Sequence, residues 1–386
     1  MNGELVKKAR EIEGMTQIEL VEAVKPYEIT QAAIARIEQN LLEPSEETAK
    51  AIAAALRFPI EYFYQQSFVD FPSGSTLFRC LKGLKSKDRS QIVQTASVGF
   101  QLYQTMATKL RLKSSGFPKI SHQDIFSAPS ILRNALGIEA DKPVKQIIKK
   151  LENIGVVVVS IPLEIHEHDG FSVWIEDRPV IVLSRGKSGD RQRRTVVHEM
   201  MHLACHYSLA GNNLDEIEDE ADILTNEFLL PAEVIKQEII SPVTLSDLAD
   251  LKTRWGVSIQ SLVERAYELE IITINQRKYL YKQISQKNWR TSEPRYIESE
   301  QPRAIQMMAE RLYSQNGKVI YRKLAEDTKL PRRLVHSVLS AYKGYTGESE
   351  TQSNVFNLQF HRSKKDIDED FTENDNQDSK VVNFRF

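Results

Sequence analysis

Residues 195–206, running from Thr195 to His206, restrict this chain more than any other stretch. They set His198-Glu199-Met200-Met201-His202, an HExxH motif, on an apolar background with helical spacing. Four residues make slightly more than one helical turn, so His198 and His202 share a face. Two imidazoles so placed can hold one Zn²⁺, with Glu199 beside the open position as general base. HExxH alone also arises by chance, and the bland alternative is a helix with two surface histidines.

A second stretch weighs against that alternative. Ile217, Ala221, Leu224 and Phe228 repeat at helical spacing and predict a core stripe. Glu218 and Asp222 lie on one flank of it and Glu220 on the other. A catalytic zinc needs a third protein ligand and keeps a fourth position for water. Glu218 is the expected third ligand, with Asp222 accepting a histidine N–H behind it. Glu220 is the alternative ligand, and a solvated acidic face is the bland reading. His206 lies one more turn along the first helix. A straight helix cannot bring three such histidines to one ion, so His206 is expected behind the ligands or at the surface.

HExxH followed by Glu218-Asp219-Glu220-Ala221-Asp222 and closed by Leu229-Leu230-Pro231 resembles the ImmA/IrrE metallopeptidase family (M78, a zincin). Thr195, His206 and Pro231 also match its pattern. Met201 stands where the family usually has glycine, Arg194 where it has an aromatic, and Leu224-Thr225-Asn226 where it often reads FAA. The resemblance implies a zinc endopeptidase with a narrow protein substrate, such as a repressor or antitoxin. It also implies that the strand ahead of the HExxH helix, 179–184, is a sheet edge open to an extended substrate.

At 386 residues two to three domains are expected, and 41% hydrophobic content supports real cores. A net charge of −2 gives no global polyanion signal. Cys80 and Cys205 are too few for a disulfide framework, which together with zinc chemistry predicts a reducing, cytoplasmic setting. No signal peptide is legible, and no apolar run approaches the length of a membrane span.

The first 66 residues read as five short helices. Thr16 and Thr30 cap the second and third, and Pro59 opens the fifth. Thr16-Gln17, Thr30 to Ile34 and Ile37-Glu38 resemble the XRE/phage-repressor helix-turn-helix. In that module the third helix enters the major groove of double-stranded DNA. Gln31 can then read an adenine edge. Gln17, Thr30 and Arg36 are candidates for phosphate contacts, and Ala32 is a further DNA-binding candidate. Such modules usually act as homodimers on paired half-sites. Residues 1–66 hold seven Lys+Arg and eleven Asp+Glu, a net of −4, so a lone module should bind DNA weakly.

The expected organisation is α+β and mostly helical. A helix-turn-helix domain spans 1–66, and a linker with a basic long helix spans 67–119. A zincin-like peptidase with a small mixed sheet spans 120–271, a helical domain 272–345, and a disordered acidic tail 346–386. Positions 79–113 carry eight Lys+Arg and one Asp, suiting either phosphate docking or a solvated connector. Leu324 to Leu339 again has helix-turn-helix spacing, with Arg332 and Arg333 opening its second helix; simple packing is favoured over a second DNA contact. The tail holds nine Asp+Glu and five Lys+Arg. The function expected is a DNA-binding regulator carrying a zinc endopeptidase that acts on another protein or on itself. The alternative is a repressor or antitoxin whose peptidase fold is a sensor with little or no proteolysis.

Overall fold

The computed structural model describes residues 1–66, 71, 85–161, 169–207 and 214–340. The acidic tail and positions 67–70 and 72–84 of the linker, which include the start of the basic stretch, lie outside the described residues. The described chain is mostly helical and forms two compact units. One comprises Met1–Ser115, the end of the first strand, and the chain from Pro302. The other comprises Gly116–Val158 and the chain from 169 to Gln301.

In the first unit, helices α1 (Gly3–Ile12), α2 (Gln17–Ala23), α3 (Gln31–Glu38) and α4 (Glu46–Ala55) begin at side-chain caps. Asn2, Thr16, Thr30 and Ser45 each accept a backbone N–H that the helix leaves unpaired. Thr16 and Glu19 complete a reciprocal capping box. The fifth expected helix is a short 3₁₀ turn, Ile60–Tyr64, started by Pro59. Leu5, Leu20, Ile34, Ile52, Leu56 and Phe63 are fully buried and form the centre of this bundle. Beneath it, buried Glu38 accepts from Arg10 Nε at 2.6 Å and Nη2 at 3.0 Å.

The long helix Ser86–Leu110 is a core element, which neither reading of the basic stretch anticipated. Ile92, Val93, Ala96, Phe100, Leu102 and Met106 are buried along it. It packs on α1 and on three C-terminal helices, Ala304–Tyr313, Tyr321–Thr328 and Arg332–Ser340. A hairpin of Ser314–Gln315 and Lys318–Val319 joins the first two of these. Its turn residues Asn316 (φ 53°) and Gly317 (φ 72°) both take the left-handed conformation that a two-residue hairpin favours. Arg333 donates to Glu13 and lies over the Phe58 ring, so it packs within this unit.

In the second unit, β2 (Gly170–Ile175) and β3 (Arg178–Ser184) form a tight antiparallel hairpin, Phe171 facing Val182 and Ile175 facing Arg178. With β1 (Val157–Ile161) the sheet order is β1-β3-β2. The expectation that 179–184 is the edge strand is therefore corrected: β3 is central and β2 is at the edge. The short turn forces β2 alongside β3, and β1 takes β3's other side.

The HExxH helix, Gly189–Cys205, packs across β2 and β3 and against the acidic helix Leu214–Leu229. Its first residue must be small, because a Cβ on Gly189 would lie 2.0 Å from the Glu298 carbonyl oxygen. Val196, Val197, Met200 and Met201 share a core with Ala221, Leu224 and Phe228 of the predicted stripe, and Ile217, its first member, is also buried. Helices Leu245–Trp255, Ile259–Glu268 and Ile274–Gln286 extend the same core through Leu248, Trp255, Leu262, Leu280 and Ile284. Among the described residues no helix is long and apolar enough to cross a membrane.

Candidate metal centre and nucleic-acid interface

The crossing of the HExxH helix and the acidic helix brings four expected residues together. His198 Nε2 lies 3.0 Å from His202 Nε2 and 3.1 Å from Glu218 Oε2. His202 Nε2 lies 3.5 Å from Glu218 Oε1. Donor atoms of these three residues all fall within 4.8 Å of one another. Ligands held at about 2.0–2.1 Å around a tetrahedral zinc stand roughly 3.3 Å apart, so the donor set and spacing fit that ion. Asp222 Oδ1 sits 3.0 Å from His198 Nδ1, which orients the ring.

Glu220 is turned away from this trio. Its Oε2 lies 3.1 Å from His206 Nε2, and His206 Nδ1 lies 2.8 Å from His202 Nδ1. A chain Glu220–His206–His202 thus runs behind the second histidine, and His206 is buried within it.

Local electrostatics favour a cation at the centre. Burial by itself lowers the His198 pKa, but hydrogen bonds to Asp222 and Glu218 overcome that and lift it to about 10. The same contact with His198, followed by that with His202, holds Glu218 well below the usual carboxylate range. His206 is pushed down to about 4, first by burial and then by the neighbouring His202 charge. The groups that stabilise a proton on His198 also suit a metal ion in its place.

Glu199 is buried on the turn between the two histidines. Its Oε2 accepts a 2.7 Å hydrogen bond from Ser172 Oγ, a residue of the edge strand. The sequence reading missed Ser172, although a lone hydroxyl among apolar strand residues was a usable signal. Trp174, on the same strand, donates from Nε1 to the Leu203 carbonyl at 2.9 Å and fixes β2 on the helix. Met201 is fully buried in the core. Arg194 donates to Asp222 Oδ1 at 3.0 Å and to Asn226 Oδ1 at 2.7 Å. It therefore shares the carboxylate oxygen that orients His198.

The other expected site lies in the first unit. Thr30 caps α3 through a 3.2 Å bond from the Ala33 N–H. Gln31, Ala32 and Arg36 are exposed along α3. Gln17 donates to Glu38 at 2.8 Å, and its Oε1 lies 3.5 Å from Gln31 Nε2. This long, exposed contact places the Gln17 and Gln31 amides side by side at the start of α3. Replacing Gln31 with alanine is expected to weaken binding to the chain's own promoter fragment by about 1–3 kcal/mol. Electrophoretic mobility shifts at fixed low salt check this, and unchanged affinity would show that Gln31 reads no base.

Two family models match the chain. Residues 151–267 match the M78 peptidase family, described as an IrrE N-terminal-like domain. Residues 6–63 match a helix-turn-helix model. No curated protein matches the chain closely. The chain thus joins an N-terminal helix-turn-helix domain of the XRE type to an IrrE/ImmA-like domain of the M78 peptidase family.

Proposed function

We propose that this protein is a DNA-binding transcriptional regulator carrying a zinc-dependent endopeptidase that cuts one particular protein, a repressor or antitoxin or the chain itself. The observation that carries the reading is the convergence of His198, His202 and Glu218 beside the buried carboxylate of Glu199. Glu218 is preferred to Glu220 as third ligand because Glu220 is engaged with His206. Asp222 and His206 orient the two histidines from behind. Bound zinc supplies a Lewis acid that polarises the scissile carbonyl and lowers the pKa of an attacking water toward about 7.

The chain's own groups do the rest. The Ser172 hydroxyl fixes the Glu199 carboxylate through Oε2 and leaves Oε1 to take the water's proton. Glu199 then passes that proton to the leaving amine. The edge strand β2 offers its backbone to an extended substrate, which would lie along the face holding Ser172. The α3 helix directs the molecule to an operator, as a homodimer on two half-sites.

A second reading keeps the DNA binding and makes the peptidase fold a sensor with little proteolysis. Arg194 favours it, since its guanidinium neutralises the carboxylate that would otherwise strengthen His198 as a ligand.

Zinc affinity measured by chelator competition tests the ligand assignment. Asp222→Ala is expected to lose roughly 10–100-fold, the usual cost of an outer partner, and Glu218→Ala more than that. A larger loss in Glu220→Ala than in Glu218→Ala would reverse the assignment. Affinity is also expected to depend on pH. His198 holds a proton up to about pH 10, and that proton must leave when metal binds. Zinc binding should therefore strengthen by up to about tenfold per pH unit between pH 6.5 and 8.5. A flat profile would mean that His198 is not held protonated by Asp222 and Glu218 in the metal-free protein.

A further inference from the structure

A cleft of about 580 Å³ opens beside the first turn of the HExxH helix, within the peptidase unit. Its floor is internally satisfied. Lys252 lies between Asp190 at 2.6 Å and Glu293 at 2.9 Å, and Glu293 also accepts the Ile259 N–H at 2.8 Å. Its rim is not balanced. Lys187 and Arg191 share the single carboxylate of Asp169. Arg194 shares Asp222 with His198. Arg290 donates to the Ser285 hydroxyl at 2.7 Å and has no carboxylate partner among the described residues. Among the described residues, three rim guanidiniums, Arg191, Arg194 and Arg290, thus face two carboxylates, Asp169 and Asp222. Hydroxyls of Ser188 and Thr291 also line the cleft.

This is the chemistry that receives a phosphate group. Guanidinium forks match its oxygens in pairs, hydroxyls donate to the remainder, and the start of a 17-residue helix adds a favourable dipole. Among the described residues, the two rim carboxylates are too few to occupy all the N–H donors of those three guanidiniums.

We propose that the cleft binds a small molecule carrying a phosphate group, and that Arg194 links its occupant to the metal centre. Arg194 lines the cleft and also holds the Asp222 oxygen that contacts His198. An occupant that draws the guanidinium toward itself leaves Asp222 to His198 alone and makes that imidazole a stronger ligand. The link rests on the zinc reading; the binding does not.

The test uses the metal-free, full-length protein in calorimetric titrations with AMP and with inorganic phosphate. AMP is expected to bind saturably, about tenfold or more weakly in Arg290→Ala and in Arg191→Ala, both exposed positions. Lys323→Ala, at an exposed position of the first unit, is expected to bind as wild type does. Inorganic phosphate is expected to displace AMP, and failure to do so would overturn the assignment to a phosphate group. No binding by wild type, or undiminished binding by both arginine variants, would overturn the site itself. Zinc affinity with and without AMP reads the link. It is expected to tighten several-fold in wild type and not in Arg194→Ala, and equal values in wild type would overturn the link.

Discussion

Glu199→Gln is expected to keep its fold and its zinc while cleaving at least about a hundredfold more slowly. The lower bound is the usual contribution of a positioned general base. Glutamine has nearly the volume of glutamate, and its amide oxygen can still accept from Ser172, so the buried setting survives. It cannot take a proton from water at neutral pH. Equal zinc content with lost cleavage would assign the loss to proton transfer. Lost zinc would instead mean that the carboxylate supports the metal centre, and undiminished cleavage would remove Glu199 from the chemistry.

Lys252→Ala carries the largest expected cost to stability. The Lys252 ammonium is almost fully buried, 3% exposed, between carboxylates that are 6% and 8% exposed. Removing it leaves two buried negative charges with no cation. Breaking such a pair typically costs about 3–5 kcal/mol, or roughly two to four orders of magnitude in the folding equilibrium. The damage reaches the site, because Asp190 lies in the first turn of the HExxH helix. Trp174, Trp255 and Trp289 all belong to the peptidase unit, so urea unfolding followed by tryptophan fluorescence reports on that unit alone. Lys252→Met combined with Asp190→Asn and Glu293→Gln should recover part of the loss, since no isolated charge remains. A Lys252→Ala transition that coincides with wild type would contradict the account.

Periodicity was a good guide wherever one helix face meets one core. The stripe Ile217, Ala221, Leu224 and Phe228 is legible because each fourth residue returns to the same side, and all four are buried. The valine-rich runs at 157–161 and 178–184 became strands because β-branched side chains suit a sheet covered on both faces. His198, His202 and Glu218 could be named together because the motif spacing fixes two of them and the acidic helix offers few candidates for the third.

The rest depended on pairings that no local pattern carries. The sheet order turns on which strand lies beside β3, so the sheet edge was assigned to the wrong strand. Asp190, Lys252 and Glu293 stand 62 and 41 residues apart, and nothing in their neighbourhoods marks them as one cluster. The long helix hid its core role behind its lysines and arginines, although Ile92, Ala96, Phe100, Tyr103 and Met106 recur at helical spacing. Asn316-Gly317, a strong hairpin signal, was simply passed over.

The central claim is that this chain cuts a protein with Glu199 and a metal held by His198, His202 and Glu218. Comparing all new protein N-termini, by mass spectrometry, in cells expressing equal amounts of wild type and Glu199→Gln tests it most directly. Growth with and without DNA damage covers a conditional activity. The account predicts a terminus present with wild type and absent with the variant, which also names the substrate. Identical profiles under both conditions would contradict it and favour the sensor reading.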